Sequence, residues 1–89
     1  MNWKITLSRE AVKFLTGSRV KESIVVDKVT LAIRKLRGED VNIDIKKLKG
    51  DWEGFYRIRY GKVRILLDFE FEEYRVHIER IDWRGGAYK

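Results

Sequence analysis

The chain contains no cysteine and no proline, and only one histidine and one methionine among 89 residues. Without cysteine there is no disulfide framework and no thiolate metal site. A lone His77 argues against zinc, which takes several nitrogen or sulfur ligands. No apolar run approaches the roughly 20 residues of a membrane span, and Met1-Asn2-Trp3-Lys4 lacks the apolar stretch of a signal peptide. A cytoplasmic protein with no membrane partner is the expectation. Low-complexity runs, internal repeats and linkers are also missing, and the length suits a single domain, residues 1–89, with one core.

What is abundant is charge. Charged residues make up 38% of the chain beside 44% hydrophobic ones, a balance that predicts a folded rather than disordered chain. Twenty Lys and Arg against 14 Asp and Glu leave a net charge of +6, which points to an acidic partner such as nucleic acid.

Periodicity predicts the elements. Trp3, Ile5 and Leu7 alternate with polar residues, as in a strand. Ser8 is an N-cap candidate, with Glu10 in the first turn. Ala11, Val12, Phe14 and Leu15 supply a short helix face, which Thr16-Gly17-Ser18 interrupts. Ser18 is placed to cap a second helix carrying Val25, Val29, Ala32, Ile33 and Leu36 as its stripe, with Gly38 just beyond its end. After Asp40 the period changes to two. Val41, Ile43 and Ile45 form one strand, Tyr56, Ile58 and Tyr60 another, Val63 to Phe71 a third, and Tyr74, Val76 and Ile78 begin a fourth. Gly61-Lys62 and Glu72-Glu73 read as hairpin turns. The expected class is α+β: a two-layer domain with an N-terminal strand, a helical hairpin and a mainly antiparallel sheet, both helices on one face.

The charge is unevenly placed. Lys46 to Arg64 holds seven basic residues and two acidic ones; Asp68 to Asp82 holds six acidic and two basic. Arg57 and Arg59 are two apart on a strand and leave the same face, opposite to Tyr56, Ile58 and Tyr60. Arg64 has the parity opposite to Val63 and Ile65, and the Gly61-Lys62 turn brings it alongside. Three guanidiniums on one patch suit phosphate oxygens, which they bind through paired hydrogen bonds. The alternative is a solvated strand face with arginines paired to Asp68 or Glu70. Lys46, Lys47, Lys49 and Lys62 lie close in sequence and are candidate RNA contacts.

Ile78 and Ile81 have opposite parity, which a bulge near Glu79-Arg80 would reconcile. Ile81 and Trp83 would then return to the core side, and Arg84 would join the arginine face. Beyond it, Gly85-Gly86 permit a tight return that sets Tyr88 over the patch, where it could stack on a base or bond a phosphate. A frayed tail is the alternative. Trp52, in the loop from Gly50 to Gly54, serves either as a partner contact or as a cap on the core edge.

Leu48-Lys49-Gly50, the run Tyr56-Arg57-Ile58-Arg59-Tyr60-Gly61-Lys62-Val63-Arg64, and Arg84 followed by Tyr88 together resemble the RelE/ParE toxin superfamily, and the RelE branch in particular. The β-α-α-β order extends the likeness over nearly the whole chain. The resemblance implies the toxin of a toxin–antitoxin pair: a ribosome-dependent endoribonuclease that cuts mRNA in the A site, using the ribose 2′-OH to attack the adjacent phosphate, with no metal and no cofactor. By position it implies that Arg57 and Arg64 stabilise charge on the phosphate, that Arg59 sits beside the nucleophile, that Arg84 acts near the leaving 5′-oxygen and that Tyr88 orients the substrate. It implies as partners a RelB-like antitoxin, the ribosome and mRNA, and it admits a toxin–antitoxin heterotetramer.

One departure matters. Lysines commonly occupy the places of Arg57 and Arg59 in the family, the second assigned as general base. Arginine stays protonated and cannot take that role. Either Arg59 contributes electrostatics and positioning alone, or Tyr88, Lys62 or a ribosomal RNA group accepts the proton. His77 lies mid-strand in the acidic stretch and reads as structural. Two other functions are alternatives: a ParE-like inhibitor of DNA gyrase, against which the full arginine and tyrosine set argues because such chains generally lack it, and a non-catalytic RNA-binding module, which shares every basic residue.

Overall fold

The computed structural model describes residues 2–83. Strand β1 (Lys4–Leu7) leads into helices α1 (Arg9–Gly17) and α2 (Glu22–Leu36), followed by strands β2 (Asp44–Lys47), β3 (Tyr56–Tyr60), β4 (Val63–Glu70) and β5 (Arg75–Trp83). Short 3₁₀ turns occupy Gly50–Trp52 and Phe71–Glu73. All five strands form one sheet in the order β1-β5-β4-β3-β2. β1 runs parallel to β5, and every other pairing is antiparallel. This is the expected α+β layout. None of the described helices is long and apolar enough to cross a membrane.

Local chemistry accounts for the helix ends. The Ser8 hydroxyl accepts from the Ala11 backbone N–H at 3.1 Å and caps α1. At the end of α2 the Gly38 N–H donates to Lys35 and the Glu39 N–H to Arg34, both at 3.0 Å. This pairing satisfies the last carbonyls and needs a left-handed residue, which Gly38 supplies at φ +95°.

Ala11, Val25, Val29, Ala32 and Ile33 from the helices meet Ile58, Val63, Ile65, Leu67, Val76, Ile78 and Ile81 from one face of the sheet. Burying each of the Val, Leu and Ile side chains among them contributes about 2 kcal/mol. The bulge is present: Leu66 pairs with Arg80 and Leu67 with Ile78, so Glu79 is the additional residue. It allows Ile78 and Ile81, three apart, both to face the core. The Ser8 hydroxyl donates to the Glu79 carbonyl at 2.6 Å, so one side chain ties the start of α1 to the bulge.

Four local expectations are corrected. Ser18 does not cap α2; its hydroxyl accepts from the Val20 N–H, and α2 starts at Glu22 with Lys21 as N-cap and no capping side chain. Val12 is 47% exposed, because α1 turns only Ala11, Phe14 and Leu15 inward. The strand expected from Val41 begins at Asp44; the Val41 N–H bonds to Glu39, and Lys35 Nζ takes the Ile43 carbonyl at 3.0 Å, although Ile43 is still buried. Trp83 keeps the core-side parity and meets the Phe14 ring at 5.2 Å, yet it remains 51% exposed at the end of β5. Trp52 packs edge-on against Phe55, with ring centroids 5.4 Å apart.

Candidate nucleic-acid interface

Residues opposite one another in a sheet share a face, so the register defines the site. On the face away from the helices, one row runs Asp44, Arg59, Arg64, Asp82, and the next runs Lys46, Arg57, Leu66, Arg80. Arg57, Arg59 and Arg64 therefore lie together, as their spacing predicts. Arg59 and Arg64 are directly opposite, an arrangement in which like charges repel. The patch holds cationic charge that an anion would relieve.

Arg57 is the best-held of the three. It is only 6% exposed, the one buried charged residue among those described. Its Nη2 donates to Asp44 Oδ1 at 2.9 Å, and Arg59 Nε donates to Asp44 Oδ2 at 3.3 Å. The Nε of Arg57 is buried and has no hydrogen-bond partner among the described residues. Such a donor is costly to leave unmade, by about 1–3 kcal/mol. Beside Arg57 in the row, Leu66 is fully buried although it lies outside the main core. An apolar neighbour lowers the local dielectric and strengthens each charged contact the guanidinium makes.

Asp44, not Asp68 or Glu70, is the carboxylate that pairs with Arg57 and Arg59. Glu70 belongs to a separate group with Arg75 and Glu73, at 4.0 and 3.0 Å from the Arg75 guanidinium. The acidic stretch is also less segregated than its sequence suggests, since Asp82 lies opposite Arg64 and 3.6 Å from Arg80. His77 is one row further along, opposite Asp68, with Nδ1 2.8 Å from the Thr6 hydroxyl and Nε2 3.3 Å from Glu79.

The four lysines are placed unequally. Lys46 lies opposite Arg57, on the arginine face, whereas Lys47 lies opposite Tyr56 and takes the helix-side parity. Lys62 is exposed in the β3–β4 turn beside the Arg59–Arg64 row, and Lys49 is exposed just before the Gly50–Trp52 turn. Arg84 and Tyr88 lie outside the described residues. On the helix side, burial raises the Tyr60 phenol above its ordinary value, its hydroxyl has no partner among the described residues, and Lys28 Nζ sits 5.4 Å from its ring centre.

Asp44 is the site residue that sequence reasoning missed. Its parity with Lys46 was visible, but its place against Arg59 depends on the β2–β3 register. That register is set across the intervening loop by the Leu48 N–H bonding to the Phe55 carbonyl at 2.9 Å.

This sheet, with two helices packed on one side, has the fold of toxin chains solved in RelE-type toxin–antitoxin complexes. The toxin–antitoxin complex RelBE2 from Mycobacterium tuberculosis contains a chain similar to this one at 22% identity, covering 94% of this chain and 100% of that one, with a TM-score of 0.64. The archaeal RelE–RelB complex from Pyrococcus horikoshii OT3 gives 22% identity, coverage of 98% and 100%, and a TM-score of 0.59. The YoeB–YefM complex from Staphylococcus aureus gives 17% identity, coverage of 94% and 99%, and a TM-score of 0.62. No family model and no curated protein sequence matches the chain. At these identities the likeness establishes the fold, and function is argued from the site.

Proposed function

We propose that this protein is the toxin of a toxin–antitoxin pair, a single RelE-like domain that acts in the cytoplasm as a ribosome-dependent endoribonuclease on A-site mRNA. The observation that carries this reading is the buried Arg57, its Nε unpartnered among the described residues, beside Arg59 and Arg64 on one sheet face. A fold shared with toxins of toxin–antitoxin complexes supports the same conclusion.

In this reaction the ribose 2′-OH gives its proton to Tyr88, Lys62 or a ribosomal RNA group, and its oxygen attacks the adjacent phosphorus. The bond to the 5′-oxygen breaks, that oxygen gains a proton, and a 2′,3′-cyclic phosphate remains. Arg57 and Arg64 stabilise the charge that grows on the phosphate. Arg59 positions the nucleophile without accepting its proton. Arg84 acts near the leaving 5′-oxygen and Tyr88 orients the substrate. Lys46, Lys49 and Lys62 contact the RNA backbone, and Lys47 contributes from the sheet edge. No metal or cofactor takes part. The antitoxin partner is a RelB-like chain, in an assembly that extends to a heterotetramer.

Primer extension on mRNA from translating ribosomes, with and without the purified protein, tests this. New 5′ ends at A-site codons that vanish without ribosomes, and that fall about 100-fold in rate with Arg57→Ala and are lost with Arg84→Ala, are the expected result. Intact mRNA from folded, ribosome-bound protein would overturn the catalytic role.

A further inference from the structure

We propose that Asp44 is a built-in stand-in for the RNA phosphate: its carboxylate occupies guanidinium donors that a backbone phosphate takes in the complex, and RNA binds by displacing it. This rests on the arginine patch being a phosphate site, and it adds a residue that sets the affinity of that site.

The two oxygens of Asp44 span two guanidiniums, one at 2.9 Å and the other at 3.3 Å. Two oxygens of a phosphate would bridge the same pair in the same way. The partners differ in how they are held. The Arg57 side chain is 8% exposed and fixed by its surroundings, whereas that of Asp44 is 53% exposed on the edge strand β2. The carboxylate is therefore the partner free to leave, and it regains hydration when it does. Displacement does not leave the buried guanidinium unpaired, because Arg57 exchanges one anionic acceptor for another, whereas deleting the carboxylate would leave it without one. The pairing is also incomplete, because Arg57 Nε is left over. A phosphate has acceptor oxygens to spare for that donor, which the two-oxygen carboxylate does not reach.

If Asp44 instead served to hold the guanidiniums in place, its removal would weaken binding. The displacement reading gives the opposite sign. The probe is a fluorescently labelled, 2′-O-methylated RNA decamer, read by anisotropy at low salt against the full chain. Asp44→Asn keeps the shape and removes the competing charge, and is expected to tighten binding by roughly three- to tenfold. Arg59→Ala is expected to weaken it. Should Arg59→Ala weaken binding while Asp44→Asn leaves it unchanged or weaker, displacement is wrong and the phosphate site stands. Should Arg59→Ala and Arg57→Ala both fold and leave binding unchanged, the phosphate site itself is wrong. A wild-type measurement guards against a variant that fails to fold: the carboxyl carbon resonance of Asp44 is expected to move on RNA saturation, and a resonance that stays in place while RNA binds would overturn the proposal.

Discussion

Arg57 and Ile58 are neighbours on β3, both nearly buried, and they face opposite sides of the same sheet. Ile58 is held by non-directional burial against the helices, and any side chain of similar volume and polarity would serve there. Arg57 is held by a directional contact to Asp44 and carries a donor with no described partner. One face stores stability and the other keeps charge unresolved. A protein that stabilised both faces alike would leave nothing for a ligand to complete.

Substitutions on the two faces should separate these roles. The largest effect is expected from Ile65→Ala, fully buried on the helix side: a loss of about 3 kcal/mol, seen as a lower urea midpoint. Asp44→Ala, on the other face, removes the acceptor of a buried guanidinium and should cost about 1–2 kcal/mol by the same measurement. A loss as large as that of Ile65→Ala would erase the contrast.

Tyr60→Phe sharpens it further, because it removes a buried hydroxyl with no described partner and should be neutral or stabilising by up to about 1 kcal/mol. Burial raises the folded-state value of this phenol above 10.0, so its contribution is intact below that pH and is lost as pH rises through the folded value. The variant should therefore show a shallower alkaline fall in stability. The smallest effect separates adjacent lysines. Lys46→Ala should weaken RNA binding and reduce its salt dependence more than Lys47→Ala, since only Lys46 shares the arginine face. Equal effects would show that the edge of β2, and not its parity, governs the contact.

Much of this was legible beforehand, for definite reasons. Alternation on β3 and β4 put Arg57, Arg59 and Arg64 on one side, since side-chain direction in a strand has a strict period of two. The clash of parity between Ile78 and Ile81 revealed the bulge, since only an extra residue lets both reach the core. Ser18 misled because a hydroxyl near a helix start can bond within its own turn, as it does with Val20. Asp44 was illegible as a site residue for another reason. Pairings between separate strands depend on register, and composition and parity do not encode register. Leu66 was hidden for a similar reason: its parity assigns it to the polar face, and only its neighbours in three dimensions bury it.

The parallel pairing of β1 with β5 has a consequence for how the chain is made. Lys4 lies against Arg75 and Leu7 against Ile78, so the first strand waits for a partner about seventy residues further on. In the strand order β1-β5-β4-β3-β2, β5 alone connects β1 to the rest of the sheet. A nascent chain lacking residues 75–83 can close the β3–β4 hairpin, whose contacts are local, but it has nowhere to dock β1. Such distant pairings form late and slowly. The arginine row also stays unfinished until Arg80 and Asp82 emerge from the exit tunnel. The sheet face that carries Arg57, Arg59 and Arg64 is therefore complete only once translation has passed Asp82 and β5 has paired with β4.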